Sequence, residues 1–225
     1  MDSPNKHPQF YALERRVDPP GQAALDFYNA GSRLPAKDCL QCGKHLTSLL
    51  MAPPYRVELE YVVPGMADLV RGGGSEFLIS QRMLEEVKRQ ALSGLEYLGP
   101  ARIASVNLSK TRWSALNPWF HCVRPVLSRA FVDDVSSGLV KEPAWTCSEC
   151  RLGGLTKRMK RLVINCESWA DEDVFVARGL TGAVVVSQRF ADLCRGFVLC
   201  GCAVVRAEDY HFDYYPWEKE KVPDK

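Results

Sequence analysis

Histidines are scarce in this sequence, and the short motifs that mark common catalytic sites are missing. Only four histidines occur among 225 residues, and they are scattered along the chain. No Gly-x-Ser-x-Gly nucleophile elbow is present, and the run Arg-Gly-Gly-Gly-Ser at 71–75 lacks the lysine of a phosphate-binding loop. Because no nucleophile and base can be paired from the sequence, we expect a protein that is not an enzyme.

An excess of either charge and a long apolar run are also missing. The chain has 29 basic and 27 acidic residues, so the net charge of +2 gives no general attraction to nucleic acid or to anionic lipid. No run of 18 apolar residues occurs, which excludes a membrane-spanning helix. Residues 1–16 are mainly polar and charged, unlike a secretory signal. We therefore expect a cytoplasmic protein without a membrane partner.

Cysteines, by contrast, are frequent, and four of the nine form two Cys-x-x-Cys pairs. In a reducing compartment this spacing favours metal binding over a disulfide framework. Zinc accepts four thiolates in a tetrahedron, and each Cys-x-x-Cys turn places two of them on one side of the ion. We expect one structural zinc ion held by Cys39, Cys42, Cys147 and Cys150. A redox pair, two separate metal sites and plain buried thiols are the alternatives.

The two cysteine pairs differ in the residue that follows them. Gly43 follows the first pair, where the missing Cβ lets the chain turn while its amide approaches a sulfur. Arg151 takes that place after the second pair. Since 104 residues separate Cys42 from Cys147, a shared ion requires distant parts of the chain to meet. The other five cysteines lie in apolar surroundings and are predicted to be small core residues: Cys122, Cys166, Cys194, Cys200 and Cys202.

Two stretches about 107 residues apart, 71–94 and 178–201, align without a gap and suggest a duplicated unit. Ser80 and Ser187 occupy equivalent places and are predicted to cap two helices. We expect an α+β fold of two pseudo-repeated knuckle-strand-helix-strand halves, joined by the shared four-cysteine zinc site. Strands are predicted at 57–63, 183–186 and 203–205. Apolar helix faces are predicted from residues at helical spacing: Met83, Leu84, Val87 and Ala91, then Phe190, Ala191, Cys194 and Val198.

This interpretation divides the chain into three parts. Residues 1–108 form the first half with an N-terminal extension, 109–140 form a connector, and 141–225 form the second half with an aromatic C-terminus. Aromatic side chains are common anchors of protein interfaces. An acidic and aromatic segment near the C-terminus is therefore the candidate partner-binding surface, with Glu208, Asp209, Asp213, Tyr214, Tyr215 and Trp217 as its residues.

The paired cysteine motifs and their spacing resemble the double-CXXCG proteins of myxobacteria, which include SitI-type immunity proteins. The resemblance runs from Phe10 and Tyr11, through the Cys-Leu-Gln-Cys-Gly motif at 39–43 and the Cys-Ser-Glu-Cys motif at 147–150, to the aromatic C-terminus. It implies a cytoplasmic antidote that binds a cognate toxin delivered between sibling cells. Of the functional residues of this family, only the four motif cysteines can be assigned in this sequence, and the resemblance implies that they are metal ligands. Arg151 departs from the second motif, because it replaces the glycine.

The leading hypothesis is therefore a zinc-stabilised immunity protein whose partner is a protein toxin. A zinc-knuckle regulator that binds nucleic acid through the basic run at 157–161 is an alternative, although we do not expect nucleic acid to be the partner. A thiol oxidoreductase is a third hypothesis. The matched pairs fit it poorly, because such an enzyme needs one Cys-x-x-Cys at a helix start.

Overall fold

The computed structural model describes residues 8–16, 25–27, 33–46, 50–60, 67–72, 74–108, 111–113 and 120–214. Strands dominate these residues, and the helices are few and short. The strands are β1 (Phe10–Arg15), β2 (Leu25–Phe27), β3 (Arg33–Leu34), β4 (Leu50–Met51), β5 (Tyr55–Glu60), β6 (Leu69–Arg71), β7 (Phe77–Ser80), β8 (Leu95–Leu108), β9 (Thr111–Trp113), β10 (Phe120–Phe131), β11 (Val140–Glu142), β12 (Leu155–Met159), β13 (Val174–Arg178), β14 (Val184–Ser187), β15 (Leu199–Cys200), β16 (Cys202–Arg206) and β17 (Phe212–Asp213). The helices are α1 (Gln81–Arg89), α2 (Asp134–Ser137) and α3 (Gln188–Cys194), with short 3₁₀ turns at Cys166–Ser168 and Ala207–Asp209.

Twelve strands form one curved sheet that nearly closes on itself. Its main path runs β15-β6-β7-β10-β13-β14-β1-β16, and a branch of β8, β5, β2 and β9 joins it at β10. Gly201 alone separates β15 from β16, so the two ends of the path meet. Two smaller sheets, β11-β12-β17 and β3-β4, lie beside it.

Strand β10 holds the large sheet together because it is long enough to have different neighbours along its length. Its first residues pair with β7 on one side and with β8 on the other. Its later residues, from Val126 onward, pair in parallel with β13. Strand β10 is therefore the centre of the sheet, although the sequence analysis assigned its residues to a connector.

Several strands of the large sheet, including β1, β13 and β14, are buried on both faces, which explains their apolar sequences. Along β1, Tyr11 and Leu13 pack into a core with both α1 and α3, while Phe10 and Ala12 pack into a second core on the opposite face. Successive side chains of a strand point to opposite faces. Strand β14 is buried at every position for the same reason, and such strands read as continuous apolar runs.

The expected α+β fold of two pseudo-repeated halves is wrong. The protein is mainly β-sheet, and its strands from the two halves are interleaved: β1 lies between β14 and β16, and β10 joins β7 to β13. The prediction failed because pairings between distant strands leave no local signal, whereas a serine cap and an apolar helix face do. The boundaries after 108 and 140 stay a prediction.

The local predictions around the two helices are largely confirmed. Ser80 accepts a hydrogen bond from the backbone N–H of Met83 at 3.1 Å, and Ser187 accepts one from Phe190 at 3.3 Å. The prediction that Ala91 and Val198 lie on the apolar helix faces is wrong. Ala91 lies beyond the end of α1 and is exposed, and Val198 lies beyond α3 and is 51% exposed. The strand predictions are confirmed for 57–60, 184–186 and 203–205, and residues 61–63 lie outside the described residues.

Two buried aspartates occupy similar places beside the helix caps. Asp68 accepts a hydrogen bond from the Ser80 hydroxyl at 2.8 Å, and Asp173 accepts one from the Ser187 hydroxyl at 2.6 Å. Each carboxylate also pairs with the arginine two positions after that serine. Each cap serine is thereby fixed by a charged partner, although the duplication of the whole unit stays a hypothesis.

The same carboxylates join the two helical segments crosswise. The backbone N–H of Val198, which follows α3, donates to Asp68 at 3.0 Å, and that of Ser93, which follows α1, donates to Asp173 at 2.9 Å. The partners are 130 and 80 positions apart in the sequence. Each aspartate therefore binds the end of the other segment's helix.

Candidate metal centre

The four motif cysteines come together in one cluster, although none of them lies in a helix or a long strand. Each Cys-x-x-Cys pair forms a tight turn in the loops of the structure. Their sulfur atoms all lie within 4.8 Å of one another, and three of the four residues are buried, with Cys42 exposed. The predicted meeting of the two pairs is confirmed.

The first knuckle, residues 37–46, is a small hairpin closed by backbone hydrogen bonds. The N–H of Gly43 donates to the Cys39 carbonyl at 2.8 Å, and the N–H of Cys39 donates to the Lys44 carbonyl at 2.8 Å. Gly43 has a φ of +70°, in the left-handed region that glycine adopts without strain. Outside the turn, Asp38 and His45 form an isolated bridge, and their side chains are 2.5 Å apart.

The second knuckle repeats this turn with an arginine in the glycine's place. The N–H of Arg151 donates to the Cys147 carbonyl at 2.9 Å, and its φ is +52°. A left-handed conformation costs a residue with a Cβ about 1–2 kcal/mol. The Arg151 side chain offsets this cost, because its guanidinium lies 3.9 Å from the centre of the Phe131 ring and donates to the Val132 carbonyl at 3.1 Å.

Distances between the sulfurs suit a single tetrahedral ion. Cys39 and Cys147 have their Sγ atoms 3.9 Å apart, and those of Cys42 and Cys150 are 3.6 Å apart. Four sulfurs that each lie about 2.3 Å from one ion stand about 3.8 Å from one another. All nine cysteines of the chain, every one of which is described, are free thiols. The cluster can therefore hold one metal ion.

The environment moves the pKa values of these thiols in different directions. Backbone N–H groups of Cys150 and Glu149 point at the Cys147 sulfur and lower its pKa to about 7. Burial raises the pKa of Cys150 to about 12, although the Leu152 amide donates to its sulfur at 3.5 Å. A dication reverses the penalty of burying thiolates, because it supplies the missing opposite charge.

One lysine side chain joins the two knuckles, and another joins β11 to the second knuckle. The Lys44 ammonium, from the first knuckle, donates to the Leu152 carbonyl of the second at 3.1 Å. The Lys141 ammonium donates to the Arg151 carbonyl at 3.2 Å. A zinc ion with four thiolates carries a net charge of −2, and these two cations lie beside it. They orient the loops that carry the ligands, as the outer groups of a metal site do.

The remaining cysteines pack in the apolar cores, as predicted. Cys194 and Cys202 belong to the core beneath α1 and α3, and Cys122 belongs to the core around β5 and β8. Burial raises the pKa of each of these three thiols to about 12. Cys166 and Cys200 are partly buried against the cores. None of the five joins the cluster of four.

The predicted partner-binding residues lie on a different element, near β17. Glu208 and Asp209 are exposed on the 3₁₀ turn, and Glu208 forms an ion pair with Arg206. Asp213 lies in β17, and Tyr214 follows it with 40% of its surface exposed. Tyr215 and Trp217 lie outside the described residues. The structure therefore places four of these six residues in one short exposed segment.

The basic run at 157–161 forms strand β12 and the residues after it. Its charges do not share one face, because Lys157 is partly buried and pairs with Glu142 at 3.6 Å, whereas Arg158 is exposed. Met159, between two exposed cations, is buried. The Arg161 guanidinium donates to the Ser136 carbonyl at 3.0 Å. This pattern favours a structural strand over a phosphate-binding patch.

Sequence reasoning missed one partly buried charged residue close to the first knuckle. Arg124 lies in β10, within the apolar run Phe-His-Cys-Val-Arg-Pro-Val-Leu, and its side chain is only 13% exposed. A lone charge inside an apolar strand is itself a sequence signal, because buried charges require partners. It lines a cavity of about 260 Å³ together with Lys37 and His45.

The comparisons with known proteins add no relative. No protein-family model matches the chain, and no curated protein matches it. In the part of the chain that the structure describes, no helix is long and apolar enough to cross a membrane. The geometry of the cluster and the motif resemblance are therefore the grounds for the function.

Proposed function

We propose that the four cysteines hold one zinc ion whose role is structural. The observation that carries this proposal is the cluster of four sulfurs within 4.8 Å of one another, formed by two knuckles 108 positions apart. Sites with four thiolates suit zinc or iron, and a site closed by four protein ligands leaves no position for substrate. The ion then acts as a staple between loops that are distant in sequence.

Metal analysis of protein purified under reducing conditions tests this proposal. We expect about one zinc ion per chain that survives gel filtration. The Cys39→Ser variant loses the ion, whereas Cys166→Ser, a change at a cysteine outside the cluster, retains it. Iron in place of zinc, two ions per chain, or none in reduced protein would each contradict the assignment.

On this scaffold we propose the function of an immunity protein that binds and neutralises a toxin from a sibling cell. The support is the resemblance of the paired cysteine motifs to the double-CXXCG proteins. The proposed mechanism is steric occlusion by the exposed segment that contains Glu208, Asp209 and Tyr214. Its acidic residues suit a basic surface on the toxin, and its aromatic residue offers an interface anchor.

A capture experiment in the source cell tests this function. The tagged protein is used as bait, and the captured partner is expressed with and without it. We expect the partner to be toxic alone and harmless when the two are expressed together. The double change Glu208→Lys and Asp209→Lys should weaken capture, and Glu85→Lys, at an exposed carboxylate on α1, serves as the matched control. A captured partner that is harmless when expressed alone would refute the proposal.

The two alternative functions have less support. In the basic run, Lys157 is partly buried and paired with Glu142, and the buried Met159 interrupts the exposed cations. The four sulfurs are mutually close, whereas a dithiol catalyst needs one reactive pair at a helix start. Salt-dependent binding of DNA or RNA would establish the first alternative. Turnover of a dithiol substrate that is lost in Cys42→Ser would establish the second.

A further inference from the structure

The four cysteines of the cluster differ in their access to solvent. Cys42 is exposed, whereas Cys39, Cys147 and Cys150 are only 3%, 5% and 1% exposed. Oxidation of a cysteine depends on how readily the oxidant reaches its sulfur. Cys42 is therefore the position at which an oxidant in solution first meets the cluster.

The close sulfur pairs of the cluster each join one knuckle to the other. The Sγ atoms of Cys42 and Cys150 are 3.6 Å apart, and those of Cys39 and Cys147 are 3.9 Å apart. In both pairs the two residues are 108 positions apart in the sequence. Because a disulfide has its sulfurs about 2.05 Å apart, each pair has to approach by about 1.5–2 Å to form one.

The other five cysteines do not compete for a disulfide with Cys42. All five lie in the described part of the chain, and none of them joins the cluster. Three are buried in the apolar cores, and Cys166 and Cys200 pack against the cores. A disulfide that starts at Cys42 is therefore expected to stay within the cluster.

We propose that hydrogen peroxide converts Cys42 and Cys150 into a disulfide that replaces the ion as the staple between the knuckles. This inference rests on the proposed zinc site. The disulfide closes the same length of chain as the ion, because its two cysteines belong to different knuckles. A disulfide within one Cys-x-x-Cys pair would instead separate the knuckles. The two knuckles therefore stay joined in the reduced and in the oxidised protein.

The reaction consumes one peroxide molecule for each disulfide. The Cys42 thiolate attacks one peroxide oxygen, so an S–O bond forms, the O–O bond breaks, and hydroxide leaves and takes a proton from solvent. The Cys150 thiolate then attacks the Cys42 sulfur, which forms the S–S bond and breaks the S–O bond, and the second hydroxide takes another proton. Two thiolates, one peroxide and two protons thus give one disulfide and two water molecules. The ion keeps only Cys39 and Cys147 as ligands and is released.

Peroxide treatment of the full-length, zinc-loaded protein tests the proposal. Released zinc is measured with a colorimetric chelator, and cross-linked peptides are identified by mass spectrometry. We expect about one zinc ion to leave each chain while the peptide that contains Cys42 becomes joined to the peptide that contains Cys150. Cys166→Ser, a change at a partly buried cysteine outside the cluster, should release zinc as fast as the wild type.

Thermal unfolding distinguishes a new staple from loss of the metal alone. The oxidised protein is compared with reduced protein from which a chelator has removed the zinc, so that both lack the ion and only the first has the disulfide. We expect the oxidised protein to melt about 5 °C or more above the reduced one, because a disulfide that closes a long loop restricts the unfolded chain. Treatment with dithiothreitol should abolish this difference.

The Cys150→Ser variant separates the two steps of the reaction. It keeps the exposed thiol of Cys42 and lacks the thiol that attacks it, so dimedone, a reagent for sulfenic acids, should label Cys42 in this variant and much less in the wild type. The proposal is overturned if zinc-loaded protein forms a disulfide within one knuckle, forms none, or melts like the reduced metal-free protein after oxidation. Protein that holds no zinc before treatment would instead contradict the proposed zinc site.

Discussion

Replacing Cys39 with serine removes one of four sulfur ligands and should unfold the protein at a much lower temperature. Cys39 is buried in the cluster, and its knuckle contacts the second knuckle through the sulfurs, Lys44 and Leu152. A serine hydroxyl is a poor zinc ligand at neutral pH. Because binding of the ion requires the folded arrangement, its free energy of binding adds to the free energy of folding.

The size of the effect follows from how far the zinc concentration exceeds the dissociation constant of the site. Because only the folded chain brings together cysteines that are 108 positions apart, an excess of about 1,000-fold stabilises the fold by about 4.1 kcal/mol. Domains are stable by only about 5–15 kcal/mol, so this is a large share. For a chain of this size about 1 kcal/mol shifts the melting temperature by about 2–4 °C, which gives a decrease of about 10 °C or more.

Thermal unfolding followed by circular dichroism, with the zinc content measured in the same samples, checks this prediction. Cys166→Ser is the matched control, because it changes a partly buried cysteine outside the cluster and should melt close to the wild type. A strong chelator should lower the melting temperature of the wild type to that of Cys39→Ser. If Cys39→Ser lost its zinc yet melted within about 2 °C of the wild type, the staple would not stabilise the fold. If a folded ligand variant at normal abundance failed to protect against toxin, the metal site would belong to the functional surface.

Three further predictions concern single residues. Arg151→Ala should destabilise the protein more than Arg151→Gly, by about 1 kcal/mol in urea unfolding, because only glycine relieves the left-handed backbone strain; equal effects would remove that explanation. Gly154→Ala should prevent normal folding of the second knuckle, since its Cβ would lie 2.0 Å from the Pro143 carbonyl oxygen, and a wild-type melting temperature would contradict this. Burial opposes the charge of Asp68, but hydrogen bonds from Arg82, Val198 and Ser80 outweigh it and lower its pKa. Its stabilising contribution is therefore present above its unfolded pKa of about 3.9 and is lost as the pH falls through the lower folded value, so Asp68→Asn should make unfolding less dependent on pH in that range.

The chemistry of the cysteines could be predicted from the sequence because it depends on residue type and local spacing. A Cys-x-x-Cys turn fixes two ligands by itself, and a serine before an apolar helix face caps it whatever the rest of the fold. These features were confirmed at Cys39, Cys147, Ser80 and Ser187. The predictions that held were those in which neighbours in sequence are also neighbours in space.

The sheet could not be predicted, because its order depends on pairings between residues far apart. Strand β1 pairs with β14 and β16, which follow it by more than 150 residues, and no local sequence pattern predicts these pairings. The apolar residue Val198 illustrates the same limit. Its spacing fits the face of α3, yet the helix ends at Cys194. The Val198 N–H instead donates to the Asp68 carboxylate, and the Val198 carbonyl accepts from the Asp68 N–H.

The crosswise hydrogen bonds of Asp68 and Asp173 have a consequence for the order of folding. The hydrogen bonds to each carboxylate are incomplete until the segment that follows the other helix has packed against it. The donors in these segments lie 130 positions from Asp68 and 80 positions from Asp173 in the sequence. Neither helical segment can therefore reach its final state alone during synthesis, and an N-terminal fragment that ends before Val198 leaves Asp68 without one of its donors. Contacts of such long range slow folding, since the entropy of loop closure is lost before they form. The Asp68 carboxylate consequently gains this donor only after the chain has been released through Val198.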